Sequence, residues 1–365
     1  MSTVVRSAYE FADVVERRRK TLAAMARTAD KMRPLTWLLQ RLFGLSRKLG
    51  FEFSLFRQFF KPMVGMFDKS IAQAFAGYTP SEHDVFVCSY FKSGTNLAMH
   101  IAFQVAELGR GEFEDILDVI PWADCPNQET TIALADPRPM QRSRSGLRVI
   151  KTHARAQFVP YHEEAKYICV VRDPKDVIVS GYHFFGAMLL GPLMPSVDTW
   201  VRHCTSDQSV FHPWHEFTAG YWNWRDRPNV LFLTYEAMQD DPVGTIRRIA
   251  ELMEVNLTDE EVERVRHLTS FEHMKAIDHK FYPGEVTPFA RPGGAMIRNG
   301  RKGSSGDLLT PAQQAQIDSC CKEGLARIGS TFPYDEYFGA AEPAPDAAGD
   351  AETSVPADRV GDAST

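Results

Sequence analysis

The chain has 365 residues, 44% of them hydrophobic, so it can bury a sizeable core as one large α/β domain with additions or as two ordinary domains. Its net charge of -6 argues against general nucleic-acid binding while leaving room for a local basic pocket. The six cysteines, Cys88, Cys125, Cys169, Cys204, Cys320 and Cys321, form no C-x-x-C pair, and no run reaches the roughly 18 apolar residues of a membrane span. Reduced thiols and, with no apolar leader at the N-terminus, a cytoplasmic location are expected.

Residues 1–33 are rich in Ala, Arg, Glu and Met without Pro or Gly, which predicts one helix with a solvated basic face at Arg17, Arg18, Arg19 and Lys20. Residues 34–78 then turn apolar and aromatic among scattered Arg and Lys. Two readings stand for this helical extension: helices packed on the main domain or over a substrate pocket, or a peripheral membrane contact made by an interfacial helix.

Val85, Phe86, Val87 and Cys88 form a continuous apolar run, as in a strand covered on both faces, and a helical pattern follows Leu97. Between them lies Y-F-K-S-G-T-N, residues 90–96. A loop that joins a strand to a helix start favours negative charge, because free N–H groups point into it. Gly94 lets the backbone approach closely and Lys92 adds a full charge, so a phosphate or sulfate fits. The full G-x-x-x-x-G-K-[ST] nucleotide loop is absent.

Residues 112–145 carry many Pro, Asp, Arg and turn residues and read as loops over a site. Two strands are predicted next, at 147–153 and 166–174, the second ending where Asp173 can cap a helix with Pro174 at its first position. That helix carries Asp176, Ser180 and His183. A further strand at 229–236 and a helix at 242–253 complete an alternation that predicts a parallel sheet with helices on both faces. Ligands of such sheets sit beyond the carboxyl ends of the strands, where Lys92, His153, Arg172 and Tyr235 all fall. Lys151 and His153 are two apart, so a strand turns both to one side and Thr152 to the other. His212 and His215 lack further ligands at metal spacing and read as structural histidines, and the Cys320–Cys321 pair as idle thiols in an amphipathic helix. Residues 343–365 are Ala, Asp, Pro, Gly and Ser with few bulky side chains, hence a disordered acidic tail.

Four separated pieces together resemble the sulfotransferase family that uses 3'-phosphoadenosine 5'-phosphosulfate. Y-F-K-S-G-T-N is similar to the family's loop for the 5'-phosphosulfate. K-T-H at 151–153 matches the piece bearing its catalytic base, and V-V-R-D-P-K-D-V-I-V-S at 170–180 resembles its 3'-phosphate strand and helix. R-K-G at 301–303 resembles the loop that closes on the same phosphate. Thr269, Ser270 and Phe271 match the family's T-S-F, and L-F-L-T-Y-E supplies Tyr235.

The resemblance spans residues 84–334 and implies a three-layer, P-loop-like α/β domain over 79–338, flanked by the helical extension 1–78 and a tail at 339–365. It implies a catalytic set of His153, Lys92 and Lys151. The implied donor site comprises Lys92, Ser93, Gly94, Thr95, Asn96, Leu97, Arg172, Ser180 and Tyr235, with Thr269, Ser270, Phe271, Met274, Arg301, Lys302 and Gly303. It also implies sulfuryl transfer from 3'-phosphoadenosine 5'-phosphosulfate, without a metal, to a hydroxyl of a small-molecule or lipid acceptor. Trp37, Phe51, Phe53, Phe184, Phe185 and the apolar run 188–194 are the expected supply for an apolar acceptor pocket. Phe91, Asn96 and Leu97 depart from the family's usual Pro, Thr and adenine-stacking Trp. The dimerisation pattern of animal cytosolic members has no counterpart at 308–318, which leaves the oligomeric state open. A nucleotide-dependent kinase and a non-catalytic nucleotide-binding or membrane-surface scaffold are the alternatives.

Overall fold

The computed structural model describes residues 11–210, 212–281, 287–290 and 294–339. Beyond Gly339 the expected tail lies outside the described residues, as do the first ten residues of the expected N-terminal helix. The apolar runs form four strands, Asp84–Ser89 (β1), Arg148–Thr152 (β2), Lys166–Val171 (β3) and Val230–Thr234 (β4). All pair in parallel, in the order β2-β1-β3-β4. The chain leaves β1 for β2 on one side and returns to β3 on the other, which opens a crevice beyond the carboxyl end of β1.

Strand alternation assigns each face its own cover. Val85, Val87, Val149, Ile168, Val170 and Leu233 join one core with Thr95–Ala106 (α3) and Pro242–Leu252 (α9). On the opposite face Phe86 stacks on Tyr167 at 5.0 Å, Tyr167 meets Trp224 edge-on, and Phe232 meets Trp222 of Trp214–Trp222 (α7). The sheet is thus the middle of three layers, as the alternation predicts.

Two long helices precede it, Ala12–Lys48 (α1) and Glu52–Gln73 (α2). α1 runs straight through Pro34, where the sequence pattern predicts a boundary. A proline removes one helix bond and costs about 3 kcal/mol, but strong helix formers on both sides carry the helix across it. The basic face is only partly solvated. Arg18 is half-buried in ion pairs with Asp115 and Asp118, and Arg17 donates to the Thr131 carbonyl, so α1 clasps the 112–145 segment that holds the short helix Arg138–Arg142 (α4). Glu52 is buried on α2. Burial alone raises its carboxyl, yet hydrogen bonds from Ser196, Arg47 and Thr199 outweigh this and leave the pKa lowered.

The remaining helices are Pro174–Met188 (α5), Val197–Cys204 (α6), Tyr235–Asp240 (α8), Asp259–Leu268 (α10), Phe271–Ala276 (α11) and Pro311–Arg327 (α12). β4 ends at Thr234, whose side chain caps α8, so Tyr235 and Glu236 begin a helix where the pattern predicts strand. The described residues form one compact unit through Phe332 and a second from Pro333, which contains the short helix Tyr334–Phe338.

Candidate active site

The loop between β1 and α3 is held by its own backbone. Tyr90 donates to the Val170 carbonyl of β3, Ser93 donates back to Tyr90, and the Ser89 hydroxyl bonds Thr95 at 2.8 Å. Lys92 takes a left-handed φ of 60° and Gly94 one of 87°. Only glycine fits at 94: a Cβ there would stand 2.5 Å from the Tyr235 ring. No side chain caps α3 at Gly94, so the positive end of the helix faces the loop.

Lys151 and His153 reach the same crevice from the end of β2, and Thr152 turns away from it. Pro121 and Ala123 bond the Lys151 backbone on both sides, which lays Trp122 against Lys151 as a short parallel extension of the sheet. The Lys151 ammonium lies 3.8 Å from the Trp122 ring centroid. His153 is fixed at both ends: Asp124 accepts its backbone N–H, and its Nδ1 is 2.8 Å from the Ser89 carbonyl. A carbonyl only accepts, so Nδ1 carries the proton and Nε2 is the basic nitrogen.

Arg172, just past β3, donates to the Lys92 carbonyl, to Asp176 at 2.9 Å and to the Arg301 carbonyl at 2.9 Å, and stacks over Tyr235 at 4.3 Å. Asp176 in turn accepts from the Gly303 N–H at 2.8 Å. This pair therefore binds the 92 loop, α5 and the 301–303 loop together. Lys302 pairs with Asp240, and Gln239 donates to the Gly300 carbonyl.

All of this surrounds one cavity of about 1020 Å³. Its walls include every expected donor-site residue except Ser93 and Gly303. Ser93 is fully buried, with no hydrogen-bond partner for its Oγ among the described residues. Thr269 and Ser270 spend their hydroxyls on the Val265 and His267 carbonyls, and the Phe271 ring closes over Gly300, where a Cβ would overlap it. The expected apolar wall holds only in part. Phe184 and Met194 line the cavity; Phe185 is buried behind it against Phe91 and Trp200; Trp37 and Phe51 are 62% and 42% exposed elsewhere, and Phe53 lies under Arg202. Phe91, the departure from the family's Pro, stands between His153 and Phe184 as part of the wall.

The charge in this cavity is unbalanced. Burial, then Arg172, Lys151 and Arg298, lower the pKa of Lys92 to about 7, with Asp278 acting weakly the other way. Burial lowers Lys151 to about 8 against Cys125, Asp124 and Asp115, and burial with Lys151 and Lys92 lowers His153 to about 3. Neither lysine has a carboxylate within 4 Å among the described residues. Crowded cations, the uncapped α3 and the orphaned Ser93 hydroxyl fit a polyanionic donor such as a phosphosulfate.

Trp122, Asp124, Asp176, Gln239 and Arg298 were not singled out as site residues by the sequence. The only signal for the first two was the loop character of W-A-D-C-P-N-Q. Asp176 and Gln239 act through contacts with residues far along the chain.

The sulfotransferase domain family matches residues 82–329. Among curated relatives, rat sulfotransferase 2A6 (Rattus norvegicus) is 28% identical over 278 residues, 75% of this chain and 96% of the relative. Rat sulfotransferase 2B1 is 30% identical over 313 residues, 83% and 88% of the two chains. The fold is similar to mouse sulfotransferase SULT7A1 complexed with PAP, with a TM-score of 0.56 at 21% identity, covering 72% of this chain and 90% of that one. It is also similar to retinol dehydratase in complex with androsterone and PAP, at 0.55 and 21%, covering 71% and 85%. With the domain matched over more than half its length, the chain belongs to the sulfotransferase family, whose sulfuryl donor is 3'-phosphoadenosine 5'-phosphosulfate.

Proposed function

We propose that this sulfotransferase acts on the hydroxyl of a largely apolar small molecule or lipid alcohol, with His153 as general base. The observation that carries this is the His153 ring, whose Nδ1–H···O=C bond to Ser89 leaves Nε2 basic in a cavity shared with Lys92 and Lys151. Burial, with Lys151 and Lys92 nearby, lowers the pKa of the ring to about 3, so at neutral pH it needs no prior deprotonation to accept a proton. Family membership decides against the kinase alternative, and the retained cations and base speak against a scaffold.

In this reading His153 takes the hydroxyl proton as the acceptor oxygen bonds to sulfur and the bond from sulfur to the bridging oxygen breaks. Lys92 meets the charge left on the departing phosphate, and Lys151 the sulfuryl or acceptor oxygens. Arg172, Ser180, Arg301 and Lys302 hold the 3'-phosphate, while the Gly303 N–H, expected to join them, is tied to Asp176 and steadies their loop instead. The amides of Gly94, Thr95 and Asn96, with Ser93, hold the 5' end. Tyr235, Leu97, Thr269, Ser270, Phe271 and Met274 frame the adenosine, with Leu97 giving an aliphatic contact where the family stacks Trp. Phe91, Trp122, Phe184, Met194 and Met296 supply the apolar acceptor wall. Six cysteines without a disulfide among them support a cytoplasmic location.

Labelled donor screened against phenols, steroids, lipid alcohols and sugars tests the acceptor class; turnover confined to sugars rejects it. His153→Ala on the best acceptor is expected to lower turnover at least about 10²-fold with adenosine 3',5'-bisphosphate affinity nearly unchanged. Near-normal turnover would sink the base assignment, and a loss confined to donor affinity would move His153 to nucleotide binding.

A further inference from the structure

Of the twelve large hydrophobic side chains exposed among the described residues, nine lie between Met32 and Met66. On α1 and its C-cap, Leu35, Leu38, Leu42, Leu45 and Leu49 recur at alternating steps of three and four, each 42% to 64% exposed. That spacing draws one continuous stripe down a single face of the helix. The fold does not use it: α1 packs on α2 through a different face, where Phe43 meets Phe59 edge-on and Ser46 is buried.

The charge around the stripe is one-sided. Residues 31–61 hold seven Lys and Arg and one acid, Glu52, which is buried and bonded to Arg47, Ser196 and Thr199. The chain as a whole carries -6. Trp37, Arg41 and Lys48 follow at steps of four and seven along one edge of the stripe, with the Arg41 guanidinium 5.0 Å over the Trp37 ring. Basic side chains bordering exposed leucines and a tryptophan are what an amphipathic helix presents to an anionic bilayer.

We propose that this face of α1 docks the protein on an anionic lipid surface, with the leucine stripe and Trp37 in the headgroup boundary and Arg41 and Lys48 on the lipid charges. The helix lies on the bilayer, since no described helix is long and apolar enough to cross a membrane. A second copy is the competing occupant, because steps of three and four also make a coiled-coil seam. The stripe spans only two heptads, short of the three or four such a seam needs. Its flanking positions hold Arg41 and Lys48 with no acid to face them, so a paired copy would set like charges together. α1 also packs on residues 191–193, beside the cavity residue Met194. For the acceptor, delivery from lipid rests on the reading above.

The test is flotation of the full chain with phosphatidylcholine vesicles, with and without about a third phosphatidylserine, at low and high salt. Binding to the anionic vesicles is expected, weakened at least about tenfold by Arg41→Gln with Lys48→Gln, by Leu38→Asp with Leu42→Asp, and by high salt. These positions are exposed, and unchanged adenosine 3',5'-bisphosphate binding by the variants will separate a failure of docking from a failure of the sulfuryl-transfer reading. Equal retention on both vesicle types, or by all variants, overturns the proposal. So does a dimer in sedimentation that the leucine pair abolishes without any vesicle binding, which would give the face to a second copy.

Discussion

The proposed placing of Lys92 and Lys151 against the donor predicts a measurable pH dependence of donor binding. Lys92 has a pKa of about 7 because it is buried and crowded by Arg172, Lys151 and Arg298, and Lys151 one of about 8 because burial outweighs Cys125, Asp124 and Asp115. An anion placed between them stabilises their charged forms, so binding must draw in whatever protons the free lysines have lost. Between pH 7 and pH 9 the charged fraction of Lys92 falls about 50-fold and that of Lys151 about tenfold. If both are charged in the complex, affinity for adenosine 3',5'-bisphosphate falls with rising pH by up to about 500-fold. The ligand is nearly fully ionised across this range and adds little to the slope. Calorimetric titration at half-unit steps, repeated in buffers of different ionisation enthalpy, measures both the affinity and the protons taken up. Lys92→Arg keeps its charge throughout and should flatten the curve to the Lys151 contribution. Affinity independent of pH over this range, with no proton uptake, would refute the placing of these two ammonium groups against the donor.

Two substitutions test the frame around them. Gly94→Ala forces a residue with a Cβ to a φ of 87° and against the Tyr235 ring, and should cost about 1 to 3 kcal/mol of stability in denaturant titration; a variant as stable as the parent would remove the strain argument. Asp176→Asn keeps the shape but removes the charge that joins Arg172 to the Gly303 N–H, and should weaken adenosine 3',5'-bisphosphate at least about tenfold while sparing the nucleotide that lacks the 3'-phosphate. Equal losses for the two nucleotides would show that Asp176 supports the cavity as a whole.

The parts of the site that sequence reveals are those encoded within a few consecutive residues. β1, its loop and α3 are contiguous, so apolar run, Lys92, Gly94 and helical period can be read in one window. Alternation likewise puts Lys151 and His153 on one side of β2. Asp124 and Asp176 are different. Each is one acid among many in the sequence, and each matters because folding carries it to a backbone N–H 29 or 127 residues away. The acceptor wall fails for the same reason: aromatic supply in residues 34–53 says nothing about direction, and Trp37 and Phe51 point to the surface. Tyr235 is read correctly as lying at a strand end but not as the start of a helix, because the Thr234 cap looks like any other strand residue.

The same charges pull folding and binding in opposite directions. A lysine whose folded pKa lies below its unfolded value of 10.5 binds fewer protons folded than unfolded, so between about pH 7 and 10.5 its contribution to stability rises with pH. Donor affinity falls over much of that window. A fold selected for stability alone would pair Lys92 and Lys151 with carboxylates, as Arg172 is paired with Asp176. Leaving them against rings, Phe184 at 4.4 Å and Trp122 at 3.8 Å, costs the empty protein stability. In the proposed mechanism it also leaves both ammonium groups unpaired for a donor that brings its own negative charge and whose departing phosphate gains more.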